Sequence, residues 1–198
     1  MKNIYLLIGL LSVALMAGCG KAQTEVVSLN VEMQENPQGV AATHPRFSWQ
    51  IRSALSDVVQ LSYQIQVASS ENDLKKEQNL LWDSGVVESD LSVLIPYAGE
   101  KLLSRKSYFW RVKVITNKGE TAWSNTGHWN MALLDKAEWQ ARWIGEDSLS
   151  NPEETMKGNT RLAARYLRKP FTAGRQVKRA MLYISGLGSY EAYLNGDK

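Results

Sequence analysis

The amino-acid sequence predicts an all-β protein whose first domain is a sandwich of two sheets. Three observations support this prediction. At residues 106–115, apolar side chains occupy every second position, which is typical of a strand with one face in a core and one in water. At least five other segments show the same period of two, and turn residues separate them at regular spacing. A helical period is almost absent from the chain.

The strand at 106–115 is the centre of the predicted fold. Its inward face carries Tyr108, Trp110, Val112 and Val114. Leu102 precedes Tyr108 by six residues, the spacing of a tyrosine corner, where the phenol hydroxyl fixes the loop that enters a central sandwich strand. We therefore expect Tyr108 to hydrogen-bond to the loop before this strand.

Residues 1–18 resemble a bacterial lipoprotein signal peptide. Lys2 supplies a positive charge, and residues 4–17 form an apolar run too short to cross a bilayer comfortably. Two small residues then precede Cys19, the only cysteine, which favours lipidation over a buried or accidental thiol and excludes an internal disulfide. The lipid would anchor an exported protein to a membrane, in the periplasm or at the cell surface. Gly20 favours the outer membrane, and residues 19–25 are a polar tether.

Residues 26–133 are expected to form the sandwich. Strands are predicted at 26–33, 46–52, 59–67, 80–85, 91–95, 106–115 and 121–131. The alternation assigns to the core Val27, Leu29, Val31 and Met33 of the first strand, and Val59, Leu61, Tyr63, Ile65 and Val67 of the third. The residues predicted to form the structural core are Trp49, Tyr63, Tyr108 and Trp110. Seven strands in this length fit a fibronectin type III or immunoglobulin-like sandwich without its disulfide.

Residues 134–142 are a predicted linker, and at 143–198 the pattern restarts as a second β-domain. Strands are predicted at 163–171, 177–185 and 189–194, and Asn195-Gly196 predicts a hairpin turn. Three strands and a turn without its second strand cannot cover their own inner faces and edges. We therefore expect the chain to be the front of a longer protein.

The sequence offers no recognisable catalytic site. Glycoside hydrolysis needs two facing carboxylates, one of them with a raised pKa. Nothing marks such a pair among the candidate acids, which are Asp83, Glu88, Asp90, Glu153 and Glu154. No signature of a nucleophile–histidine–acid triad is present either. Structural or solvated roles are expected for these acids.

No cofactor, metal or nucleic-acid site is predicted. His44 and His128 lack neighbours at metal-ligand spacing. Gly186 and Gly188 only begin a dinucleotide fingerprint and are more simply a turn. Residues 155–190 carry eight Lys and Arg and no acidic residue, but export argues against nucleic acid. These charges are expected to face solvent or a downstream domain.

A succession of motifs resembles the front of bacterial α-L-rhamnosidases. The motifs are HPRFSW at 44–49, YQIQVASS at 63–70, LWDSG at 81–85, YFWRV at 108–112, WQARWI at 139–144, LRKPF at 167–171 and YISGLGSYEAYLNG at 183–196. The last two resemble opening strands of that family's N-terminal jelly-roll domain. The resemblance therefore implies a fibronectin type III-like sandwich followed by an incomplete jelly-roll at 143–198.

The resemblance also implies a function for the parent protein. Members of the family are inverting glycoside hydrolases that remove terminal α-L-rhamnose, using glutamates on a downstream (α/α)6 barrel. No catalytic residue can be assigned to this chain, which is expected to be inactive alone and to hold no cofactor. Its expected partners are the downstream domains, a rhamnose-containing glycan bound by the absent barrel, and a membrane through the lipid on Cys19.

A second hypothesis belongs to another functional class. The chain could be a free-standing surface lipoprotein that binds carbohydrate or protein through its β-domains. The unpaired hairpin at Asn195-Gly196 favours the first hypothesis.

Overall fold

The computed structural model describes residues 24–145, 166–174, 176–177 and 179–198. Cys19 and the predicted signal peptide lie outside the described residues, as do Glu153 and Glu154. The chain divides into two compact units between Leu134 and Asp135. In the described ranges, no helix is both long and apolar enough to cross a membrane.

The described part of the first unit contains nine strands and one short helix. The strands are β1 (Thr24–Val31), β2 (Arg46–Ser53), β3 (Gln60–Ala68), β4 (Leu80–Asp83), β5 (Val87–Glu88), β6 (Ile95–Pro96), β7 (Ser107–Thr116), β8 (Gly119–Glu120) and β9 (Gly127–Asn130). Helix α1 (Glu71–Lys76) is capped by Ser70, whose hydroxyl accepts from the Asp73 N–H at 3.1 Å.

The strands form two antiparallel sheets. One sheet has the order β1-β2-β6. The other has the order β4-β3-β7-β8, with β5 also paired to β3 and β9 to β7. The inward side chains of the two sheets form one hydrophobic cluster. The predicted all-β fold with an immunoglobulin-like sandwich is confirmed.

Strand β7 has the alternation that the sequence predicts. Every second side chain from Tyr108 to Thr116 is buried, and Trp110, Val112 and Val114 are inaccessible to solvent. The Tyr108 hydroxyl accepts a hydrogen bond from the Leu103 N–H at 2.8 Å, so the predicted tyrosine corner is also confirmed.

Replacing Tyr108 with phenylalanine should lower the free energy of unfolding by about 1–2 kcal/mol, because the Leu103 N–H loses its acceptor. Urea unfolding followed by circular dichroism measures the change. Tyr63→Phe is the matched control, since no hydrogen bond of its hydroxyl is found within the described part of the chain. A loss at Tyr108 no larger than at Tyr63 would contradict the role of the corner.

Aromatic rings fill the space between the sheets. Phe47 of β2 lies at the centre, with its ring centroid 4.5 Å from that of Trp110 and 5.5 Å from that of Trp129. Trp49 and Tyr63 pack edge to face at 5.1 Å. The residues assigned to the core by sequence, Trp49, Tyr63, Tyr108 and Trp110, are all buried. Their packing joins β2 to β3 and β7.

A loop lies along the outer edge of β9. The Val40 N–H donates to the Asn130 carbonyl at 2.9 Å, and the Ala132 N–H donates back to the Val40 carbonyl at 2.8 Å. The Asn36 side-chain oxygen accepts from the His128 N–H at 2.9 Å. The segment 36–40 therefore occupies the side of β9 that faces away from β7.

The prediction that Val59 and Leu61 point into the core is wrong. Leu61 is 54% exposed, whereas Gln60 is only 6% exposed. The reason is a register shift in the pairing of β3 with β7 between Gln60 and Ser62, which inserts Leu61 as an extra residue. Beyond this bulge, Tyr63, Ile65 and Val67 are buried as predicted.

The prediction that Met33 belongs to the core is also wrong, and the first strand ends at Val31. The pairing of β1 with β2 shifts register between Val27 and Asn30. As a result Val26 is buried, whereas Val27 is only partly buried. Two residues with left-handed backbone, Glu32 and Met33, then turn the chain so that Met33 faces solvent.

The second unit has little regular structure in its described residues. A 3₁₀ turn at Lys136–Glu138 is closed by a capping box. The hairpin turn predicted at Asn195-Gly196 is present, because the Leu194 and Asp197 backbones bond to each other at 2.8 and 3.1 Å. The strands predicted at 163–171, 177–185 and 189–194 do not form in their described portions, and most of their large apolar side chains are exposed. Without a paired backbone or a covering layer, alternation alone does not make a strand.

Candidate functional site

The two histidines of the sequence lie at separate places on the sandwich. His44 is exposed, with Nδ1 3.2 Å from the Thr43 hydroxyl oxygen. His128 lies on the outer face of the larger sheet, with its ring centroid 6.2 Å from that of Phe109. Among the described residues, no three His, Cys, Asp or Glu side chains are placed to hold a metal ion.

Asp83 is a structural carboxylate rather than a general acid. Its oxygens accept from the side-chain amides of Gln64 at 2.7 Å and Gln66 at 2.8 Å, and from the Gly85 N–H at 2.9 Å. Partial burial raises the pKa of Asp83, but these hydrogen bonds outweigh burial and hold the pKa below its ordinary value. A glycosidase acid needs the opposite shift, so this geometry does not suit proton donation at neutral pH.

The residues beside Asp83 continue across the outer face of the larger sheet as a polar ladder, formed by Asp83, Gln66, Arg111 and Trp123. The Arg111 guanidinium donates to Gln66 Oε1 at 2.7 Å and to Glu77 Oε1 at 2.6 Å. Its Cζ lies 4.2 Å from the centroid of the Trp123 ring, and its side chain is only 11% exposed. Each side chain of the ladder therefore contacts the next one, and together they hold the side-chain positions across several strands.

The position of Trp123 depends on the residue that follows it. Ser124 pairs with Val112 of β7: its N–H donates to the Val112 carbonyl at 2.9 Å, and its side-chain hydroxyl accepts from the Val112 N–H at 3.0 Å. The indole consequently covers both Arg111 and Lys113, whose Nζ is 5.1 Å from the ring centroid. Sequence reasoning missed this ladder, because only the pairing of segment 121–126 with β7 brings Trp123 over the two cations.

A shallow groove of about 290 Å³ is lined by the turn after β1 and by the loop that runs along β9. Its lining residues are Glu32, Gln34, Pro37, Gln38, Gly39, Val40, Ala41 and Ala42. Glu32 is bound to Arg46, and Gln38 accepts from the Asn130 amide at 2.6 Å. The groove and the polar ladder can support contacts with a partner, but neither presents the facing carboxylates that glycoside hydrolysis requires.

Comparisons with known proteins identify the sandwich. The family described as the Rha78A-like, N-terminal immunoglobulin domain matches residues 26–135. An α-L-rhamnosidase of Formosa agariphila is 33% identical over 100% of this chain and 23% of the relative. An α-L-rhamnosidase of Alteromonas sp. is 36% identical over 81% of this chain and 18% of the relative.

A solved structure agrees with these sequence matches. The crystal structure of Streptomyces avermitilis α-L-rhamnosidase complexed with L-rhamnose is similar with a TM-score of 0.58 and 42% identity. The similarity covers 62% of this chain and 12% of that one. The chain thus spans between 18% and 23% of the length of the curated relatives above. It belongs to the α-L-rhamnosidase family and carries that family's N-terminal immunoglobulin domain.

Proposed function

We propose that this chain is the non-catalytic N-terminal portion of an exported, lipid-anchored α-L-rhamnosidase. The parent protein would release terminal α-L-rhamnose with inversion of configuration, using an (α/α)6 barrel outside these 198 residues. The observation that carries the proposal is the family match over 26–135, together with relatives named as α-L-rhamnosidases.

The sandwich would act as a spacer and a brace. Its aromatic core is continuous between two sheets, and the polar ladder fixes side chains across the outer face of one of them. A rigid body of this kind suits a protein that must hold a catalytic domain away from a membrane anchor. The expected partners are therefore the downstream domains, together with a membrane through the lipid on Cys19 and a rhamnose-containing glycan bound by the barrel.

The test compares two polypeptides. The 198-residue chain and a chain extended through the reading frame after the Lys198 codon are assayed on a chromogenic α-L-rhamnoside. We expect no hydrolysis by the first and hydrolysis by the second, with NMR detecting the inverted β-anomer as the initial product. A stop codon directly after Lys198, or an inactive extended chain, would contradict the proposal and favour a free-standing lipoprotein that binds carbohydrate or protein.

The lipid anchor has its own test. Replacing Cys19 with alanine should move the protein from the membrane fraction to the soluble fraction, because the thiol that would carry the acyl chains is removed. Fractionation and incorporation of labelled palmitate measure the change. Gln23→Ala, in the same predicted tether, is the control and should leave both unchanged. Membrane retention of the Cys19→Ala protein would contradict lipid anchoring at this residue.

A further inference from the structure

Met33 is the most exposed of the three methionines in the described ranges. It is 62% exposed, whereas Met181 is 38% exposed and Met131 only 1%. Met33 occupies the second central position of a tight turn, in which the Val31 and Gln34 backbones bond to each other at 2.9 and 3.0 Å. Both central residues have positive φ, 49° for Glu32 and 64° for Met33, as in a type I′ turn.

An ion pair holds this turn against β2. The Glu32 carboxylate accepts from the Arg46 N–H at 2.8 Å and from the Arg46 guanidinium at 2.6 Å. The side-chain hydrogen bond with Arg46 is the main reason that the pKa of Glu32 lies below its ordinary value. The turn is therefore fixed, and the Met33 thioether is kept at one place on the outer surface of β2.

The thioether meets one buried hydroxyl at that place. Ser48, which is almost fully buried, donates its hydroxyl proton to Met33 Sδ at 3.9 Å. The same oxygen accepts from the Leu94 N–H at 2.9 Å. Leu94 has a φ of 57°, which is unusual for a leucine. Ser48 thus connects the sulfur atom of an exposed methionine to the backbone of a strained loop residue.

We propose that Met33 is a reversible oxidation site for hydroperoxides and that its oxidation tightens the Ser48–Leu94 contact. The Sδ lone pair attacks one peroxide oxygen, so that an S–O bond forms as the O–O bond breaks. The sulfur loses two electrons, and the other peroxide oxygen leaves as water or an alcohol after protonation. The product is a sulfoxide, which reductases can return to methionine.

The expected coupling follows from hydrogen-bond cooperativity. A thioether sulfur is a weak acceptor, whereas a sulfoxide oxygen is polar and accepts strongly. A hydroxyl that donates to a stronger acceptor becomes a better acceptor itself. Oxidation of Met33 should therefore strengthen the bond from the Leu94 N–H to Ser48 and slow exchange of that amide hydrogen.

The first experiment treats the full 198-residue chain with hydrogen peroxide and follows tryptic peptides by mass spectrometry. The peptides 22–46 and 119–136 each contain a single methionine, Met33 and Met131 respectively. We expect peptide 22–46 to gain one oxygen at Met33 at least about tenfold faster than peptide 119–136 gains one at Met131, because exposure controls the reaction. Equal rates at the two residues would overturn the assignment.

The second experiment measures amide hydrogen exchange at Leu94 by NMR. Exchange should slow about threefold after oxidation and recover after sulfoxide reduction. Met33→Leu keeps an apolar side chain and should abolish the response, which separates Met33 from every other oxidised residue. Ser48→Ala should abolish it as well, provided that circular dichroism shows a folded sandwich. Unchanged or faster exchange in the oxidised wild-type chain would overturn the coupling, and a response that persists in Met33→Leu would do the same.

Discussion

Replacing Trp110 with alanine is expected to lower the free energy of unfolding of the sandwich by about 4 kcal/mol. The Trp110 side chain is inaccessible to solvent and packs on Phe47 at the centre of the aromatic cluster. Truncation removes its buried apolar surface and leaves a cavity between rings that cannot collapse fully. Since domains are stable by only about 5–15 kcal/mol, a large share of stability is lost. Urea unfolding followed by circular dichroism measures it.

Two further variants test whether lost core packing causes the destabilisation of Trp110→Ala. Trp123→Ala removes the same side-chain type from the outer face, where Trp123 is partly exposed, and should cost at most about 1 kcal/mol. Gly127→Ala would place a Cβ 2.5 Å from Trp110 Nε1, so it should be destabilising in the wild type and much less so beside Trp110→Ala. Equal losses for the two tryptophans would show that core packing is not the cause.

Replacing Gln60 with leucine should lower the free energy of unfolding by about 3 kcal/mol, although leucine is more apolar. Gln60 Oε1 accepts from Trp49 Nε1–H at 3.0 Å. Its Nε2 donates to the carbonyl oxygens of Ser89 at 3.0 Å and Leu91 at 2.9 Å. Leucine would leave one buried donor and two acceptors without their protein partner, and the loop at 89–94 would lose two of the hydrogen bonds that attach it to the sandwich. The same unfolding measurement quantifies the loss.

Gln64→Leu is the matched control for Gln60. Gln64 lies four residues after Gln60 on β3 and donates to Asp83, but this bond is exposed, so its loss should cost below about 1 kcal/mol. Trp49→Phe removes the indole donor, and Gln60→Leu should then be less costly in that background. If Gln60→Leu were neutral or stabilising, burial of this amide would not hold the loop.

The sequence predicted the part of the fold in which side-chain parity and backbone pairing agree. Along β7 the pairing with β3 is regular from Tyr63 to Ala68, so the period of two in the sequence maps directly onto burial. The tyrosine corner could be predicted from the sequence for the same reason, because it depends on one residue type at a fixed position in a recognisable strand.

The errors occur where one extra residue changes the register. At Gln60 and Leu61, a bulge reverses the inward and outward positions, so the apolar residue faces water and the amide enters the core. A pattern of alternating polarity contains no signal for such an insertion. At Met33, the left-handed turn ends the strand without glycine, asparagine or proline at its centre. The residue types that usually indicate a turn are therefore missing, and the end of the strand could not be predicted from them.

The candidate surface was less predictable than the fold. The polar ladder joins residues from distant parts of the chain, and Arg111 of β7 meets Trp123 only after segment 121–126 pairs with that strand. In the second unit the strand pattern was clear at 177–185, yet the residues described there form no strand and most of them are exposed. Periodicity reports which residues could share a face but not which backbone lies beside them.

The loop along β9 has a consequence for the behaviour of the protein at high concentration. A strand with open N–H and C=O groups can recruit a strand of another molecule, which is a common route to aggregation. Here the Asn36 side chain and the Pro37 carbonyl occupy the His128 and Asn130 N–H groups, so this edge offers no open ladder to a neighbouring molecule. The segment 36–40 therefore acts against aggregation. Cleavage within it is expected to expose the His128 and Asn130 N–H groups to pairing with a strand of another molecule.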